Sequence, residues 1–135
     1  MRLVVFPEYS IPWDILEEGA KAANDIVVVA GTHMVDLDGL DAGIYERLGW
    51  PRDASPKPRQ AVAPVLHRGK LLALSPKFHP ATAVGEEIEA GTSWAPVDLP
   101  EDIVGPMSVM ACLDFRIPTA LVTDCPQPVG RLTEP

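Results

Sequence analysis

The chain has 135 residues, 47% of them apolar, and a formal net charge of −8. Length and composition fit one globular domain with one core and exclude a disordered chain. The acidic balance argues against nucleic acid or an anionic membrane surface as a partner.

No apolar run approaches the roughly 20 residues of a membrane span. The N-terminus, Met1 to Glu8, turns acidic too soon for a signal peptide, so the cytoplasm is the expected compartment. Two cysteines, Cys112 and Cys125, are too few for a disulfide-built secreted scaffold. Of the 15 prolines, eight fall in two clusters, Pro51–Pro64 and Pro118–Pro135.

Leu3–Phe6 is a short apolar run rich in β-branched residues and reads as a buried strand, stopped by Pro7. Glu8 then stands at the strand's C-terminal tip. Its alternatives are a solvated loop carboxylate or a carboxylate placed to act. After a turn at Ser10–Pro12, Asp14 is expected to cap a helix with Glu17 as its capping-box partner. Ile15, Leu16, Ala20 and Ala23 share a face that would pack on a sheet. Ile26–Ala30 is a second β-branched strand. The strand–helix–strand order predicts a parallel pair and hence an α/β fold. Gly31-Thr32-His33 follows, with His33 read first as a hydrogen-bonded structural residue and second as an active-site group.

Residues 36–50 carry glycines and aspartates and read as a surface loop, without the spacing of a calcium site. Val62–Leu66 and Leu71–Leu74 predict a hairpin across His67-Arg68-Gly69-Lys70. Ser75-Pro76 ends the second strand and sets Lys77 at its tip, between Pro76, Phe78 and Pro80. Gly85-Glu86-Glu87 falls in an acidic loop, and Trp94–Leu99 looks extended. Met107–Ala111 reads as a buried strand presenting Cys112, followed by Leu113-Asp114-Phe115-Arg116. A proline-rich, irregular tail fills 117–135. The cysteines and histidines lack zinc-ligand spacing, so no metal is expected.

Three strand tips thus carry Glu8, Lys77 and Cys112. A Phe-Pro-Glu, a lysine and a Cys-x-Asp in that order resemble the nitrilase superfamily of carbon–nitrogen hydrolases. Gly85-Glu86 is similar to the family's second glutamate, with Glu87 an equal match. The resemblance spans Leu3 to about Arg116. It implies a partial α-β-β-α sandwich in a single domain over 1–135, lacking the family's N-terminal strand and C-terminal half. It further implies hydrolysis of an amide or nitrile through a cysteine thioester, with no cofactor. In that scheme Cys112 is the nucleophile, Glu8 the general base and Lys77 the oxyanion cation. The Leu113 N–H is a second oxyanion donor, and Glu86 or Glu87 supports the lysine. The expected partners are a small-molecule substrate and a second copy of the chain. The alternative is a non-catalytic α/β module serving binding or assembly.

Overall fold

The computed structural model describes residues 3–92, 97, 99 and 107–109. These form an α/β unit built on a five-stranded sheet. The strands are β1 (Leu3–Val5), β2 (Val27–Val29), β3 (His33–Met34), β4 (Ala61–His67) and β5 (Lys70–Pro76). The helices are α1 (Leu16–Ala22), α2 (Leu37–Asp41) and α3 (Ile44–Arg47).

β1 and β2 run parallel, with Leu3 opposite Val27 and Val5 opposite Val29, as the strand–helix–strand order predicts. β2 and β3 both pair antiparallel with β4 along one of its edges, and β5 takes the other. Pro64 lies inside β4 where β2 gives way to β3. A strand interior tolerates a missing N–H donor where the neighbouring ladder is already interrupted. The Pro64 carbonyl still accepts from Ala30 N–H at 2.9 Å.

The β4–β5 hairpin forms across Arg68-Gly69, whose φ angles are 48° and 74°. Two consecutive positive φ values define a type I′ turn, which matches the twist of the strands it joins. The turn also serves α1. Arg68 N–H donates to the Ala23 carbonyl at 2.7 Å, and Gly69 N–H to the Ala20 carbonyl at 3.0 Å. Both acceptors belong to the helix end, where carbonyls run short of partners within the helix; that of Ala20 also accepts from Ala23 N–H at 3.2 Å.

The sheet is covered on both faces, so one sheet separates two apolar clusters. On one face Leu16, Ala20 and Ala23 of the α1 segment pack with Val28, Val62 and Leu66 and with Ile44, Tyr45 and Leu48. On the other, Val27, Val29 and Val65 meet Val97 and Leu99, with Met107 and Val109 packed alongside. Val97 and Met107 form an antiparallel bridge. Strands buried on both faces read as unbroken runs of Val, Leu and Ile, which explains Val27-Val28-Val29.

Three expectations are corrected. β1 is a strand but not a buried one: Val5 is 64% exposed, and Val4 and Phe6 are exposed too. Among the described residues β1 pairs only with β2, and only Leu3 packs against a core cluster. Asp14 does not cap α1. A 3-10 turn at Trp13–Ile15 precedes the helix and makes no side-chain cap, while Glu17 pairs with Arg47 at 2.7 Å and Ile15 is exposed. Residues 36–50 are not a plain loop, since they hold α2 and α3. Asp36 caps α2 by accepting from Gly39 N–H at 2.7 Å and also accepts from Trp13 Nε1–H at 2.8 Å. Gly43, at φ 64°, turns the chain between the two helices.

Candidate functional site

The site is assembled at the ends of β1 and β5. β1 leaves the sheet at Phe6, whose N–H still donates to Val29 at 2.9 Å. Pro7 cannot continue the ladder, and Glu8 follows. This corner lies directly on the chain leaving β2. A Cβ on Gly31 would stand 1.7 Å from the Pro7 carbonyl oxygen, so only glycine fits. The next N–H, that of Tyr9, donates to the Thr32 carbonyl at 2.6 Å. Two independent contacts to 31–32 therefore fix the Glu8 corner.

Lys77 follows β5 directly. Its N–H donates to Ala61 at 2.8 Å and its carbonyl accepts from Gly91 at 2.9 Å, so its backbone is held on both sides. The side chain is 1% exposed. Its ammonium lies 3.3 Å from Glu8 Oε1 and 2.9 Å from each Glu86 carboxylate oxygen. Lys77 and Glu8, 69 positions apart in sequence, are thus paired directly.

Glu86 is reached through a 3-10 turn at Thr82–Val84 and a left-handed Gly85 at φ 80°. Its side chain is 11% exposed. Oε2 accepts from Ala81 N–H at 2.6 Å, and Oε1 accepts from the Tyr9 hydroxyl at 2.6 Å. The neighbouring Glu87 points elsewhere. It is 87% exposed and stands 4.0 Å from Arg59. Of the two glutamates that fit the expected second carboxylate, Glu86 is the one on Lys77.

The electrostatics follow from this packing. Burial alone would raise the Glu86 carboxyl. The Ala81 N–H, the Tyr9 hydroxyl and the Lys77 charge outweigh it and hold Glu86 below its ordinary value. Burial likewise opposes the Lys77 charge, but Glu86 and Glu8 push its pKa above the ordinary 10.5. The Tyr9 hydroxyl is pushed upward by burial and by its bond to Glu86, with smaller contributions from the Glu86 and Glu8 charges. At neutral pH it therefore donates rather than accepts. An ammonium has three protons. Three carboxylate oxygens stand within 3.3 Å of it, Glu8 Oε1 and both Glu86 oxygens, so a ligand oxygen at Lys77 would share its protons with them. Glu8, one-third exposed, keeps a solvent-facing side.

The cluster opens into a cavity of about 780 Å³ lined by Glu8, Tyr9, Lys77 and Glu86, with Met34 and Ile88 among its apolar walls. Arg59 supplies a second cation at its rim. Cys112 and Leu113, the expected nucleophile and oxyanion donor, lie outside the described residues. The nearest described residue before them is Val109, whose carbonyl accepts from the Ser75 hydroxyl at 2.7 Å. Ser75 stands two residues before Lys77.

His33 is placed as a structural residue. It is 4% exposed, and its Nε2 lies 2.8 Å from the Tyr45 hydroxyl with the two rings stacked. Among the described residues no group of three His, Cys, Asp or Glu side chains is arranged to hold a metal. No described helix is long and apolar enough to cross a membrane.

Sequence reasoning misses Tyr9, Gly31 and the Ala81 N–H. Gly31 carries a signal of its own, a glycine directly after a β-branched run, which marks close backbone approach. Tyr9 and Ala81 carry none. Comparison of the chain with family models, with curated proteins and with solved structures finds no match.

Proposed function

We propose that the chain hydrolyses a non-peptide carbon–nitrogen bond, an amide or a nitrile, through a thioester on Cys112. The observation that carries this reading is the buried Lys77 held between Glu8 and Glu86 at the mouth of an open cavity. Lysine is almost never fully buried unless paired, and a cation fixed in this way at a cavity is suited to stabilising a developing oxyanion.

In the proposed reaction Glu8 takes the proton of the Cys112 thiol as sulfur attacks the carbonyl carbon. The carbonyl π pair moves to oxygen, which Lys77 and the Leu113 N–H stabilise. Glu8 passes the proton to nitrogen, the C–N bond breaks and the amine leaves. Water then gives a proton to Glu8 and attacks the thioester carbon. The C–S bond breaks and the proton returns to sulfur. With a nitrile, attack gives a thioimidate. Water adds to its carbon and ammonia leaves to form the same thioester. Glu86 holds Lys77 in place throughout.

The path of the chain supports bringing the thiol to this site. Val109 is tied to Ser75 beside Lys77, and the three residues from there to position 112 span at most about 11 Å. The same reading extends the α/β sheet to a partial α-β-β-α sandwich of the nitrilase type and includes self-association of the chain. It is tested with p-nitrophenyl acetate. The expected result is a burst of p-nitrophenolate and an acetyl group on Cys112, located by peptide mass spectrometry. Acetylation of Cys112 no faster than that of a free cysteine peptide overturns it.

A further inference from the structure

The residue after Glu8 is held in an unusual conformation. Tyr9 has φ 56°, in the left-handed region that bulky residues seldom occupy. Such a conformation persists only where its surroundings over-determine it, and these residues gather at functional sites. Here the surroundings are two hydrogen bonds. The Tyr9 N–H donates to Thr32 and its hydroxyl donates to Glu86, both at 2.6 Å. In an extended chain, successive side chains point to opposite sides. The left-handed turn removes that constraint. Glu8 and Tyr9, adjacent in sequence, both reach the same cluster, Glu8 through Lys77 and Tyr9 through Glu86.

We infer that Tyr9 is a positioning residue for this site: its hydroxyl fixes the Glu86 carboxylate against Lys77 and so holds the lysine's ammonium at the cavity. Two donors other than Lys77 hold Glu86, one on each oxygen: Ala81 N–H on Oε2 and Tyr9 O–H on Oε1. The backbone donor is built into the 81–86 turn. The tyrosine is the one that ties this turn to the Glu8 corner, 77 residues away. Without it, the carboxylate is free to rotate about its Ala81 bond and draw the ammonium off the cavity. The Tyr9 ring also lines the cavity. The charged groups around the bond are Lys77 on Glu86 and Glu8 on Lys77, with Arg59 and Glu87 at the cavity wall.

The inference rests on the proposed hydrolase reading, and Tyr9→Phe in the full chain separates the two. The substitution keeps the ring and removes only the donor. The first readout is the titration of the Glu86 carboxyl carbon, followed by ¹³C NMR. Loss of a charge-assisted hydrogen bond is expected to move it upward by about one pH unit. The second readout is acylation by p-nitrophenyl acetate. Its saturating rate should fall about tenfold with the half-saturating concentration unchanged, since the lost interaction bears on the transition state. An unmoved Glu86 titration overturns the inference. A moved titration with an unchanged saturating rate overturns it as well, leaving the bond structural. If the wild-type chain is not acylated, the hydrolase reading fails, and with it the role in reaction. The titration then still decides whether Tyr9 holds Glu86.

Discussion

Replacing Lys77 by methionine keeps most of the buried volume and removes the charge. At 2.9 Å and 3.3 Å from its two carboxylates, the ammonium gains roughly 5–6 kcal/mol of attraction from each at an effective dielectric of about 20. Taking three charges out of water offsets most of this. The substitution removes the attraction but leaves Glu86 desolvated, and breaking a buried pair in this way typically destabilises by about 3–5 kcal/mol. The loss should depend on pH. In the wild type, the lowered Glu86 contributes stability that is present above its ordinary 4.5 and lost as pH falls through the lowered value. The raised Lys77 contributes below 10.5 and is lost only as pH rises through its raised value. In Lys77→Met the Glu86 carboxyl moves upward. The variant then gains relative to wild type as pH falls, once the stranded carboxyl takes up a proton. Urea unfolding at several pH values measures this. Lys77→Met with Glu86→Gln should recover at least half of the loss at neutral pH. A loss below about 1 kcal/mol, the same at pH 4.5 and pH 8, would refute a buried triad and leave Lys77 an ordinary hydrated lysine.

Gly31→Ala is expected to destabilise by about 2–3 kcal/mol or more, because its methyl group meets the Pro7 carbonyl. It should also displace Glu8 and slow Cys112 acylation; a fully stable and active variant would show that the Glu8 corner is not pinned there. Burial pushes the His33 imidazole from 6.5 down to about 4, against the opposing charge of Asp36. The unfolded chain then binds the proton first, so this share of stability is present above about 6.5 and lost as pH falls toward 4. Between pH 7 and pH 5 it amounts to about 2 kcal/mol. His33→Gln should remove that part of the slope, and an unchanged slope in urea titrations contradicts it. Glu87→Gln should alter stability by less than about 0.5 kcal/mol, whereas Glu86→Gln should destabilise and slow acylation. Equal effects of the two on thermal melting and acylation would undo the assignment of Glu86 as the lysine's partner.

The parts of the fold legible in the sequence are those set by local chemistry. Val27-Val28-Val29 signals a strand, His67-Arg68-Gly69-Lys70 a hairpin connection that the structure tightens to the two residues Arg68-Gly69, and Leu16, Ala20 and Ala23 a helix stripe. What escapes depends on partners distant in sequence. β1 has the composition of a core strand but pairs on one side among the described residues. The glycines and aspartates of 36–43 hide helices whose stability comes from Ile44, Tyr45 and Leu48 packing under the sheet. In the site, the order Glu8, Lys77, Glu86 stands out in the sequence only through a resemblance, and not through any local pattern. Which of two adjacent glutamates turns inward is set by the Gly85 turn, and no side-chain pattern encodes it. Tyr9 is invisible for the same reason, because its role is created by a left-handed backbone and a carboxylate 77 positions away.

In the proposed reaction Glu8, held on Lys77, serves the thiol of Cys112. Alkylation of Cys112 by iodoacetamide across pH tests it most directly. Cys112 is expected to react well below the pH near 8.5 at which a free thiol ionises. Glu8→Gln is expected to slow this reaction at least tenfold at pH 7, while Cys125 is unaffected. Cys112 reacting at the rate of a free cysteine peptide, with no response to Glu8→Gln, would contradict it. The Glu8–Lys77–Glu86 cluster would then be a structural ion triad in a non-catalytic α/β module.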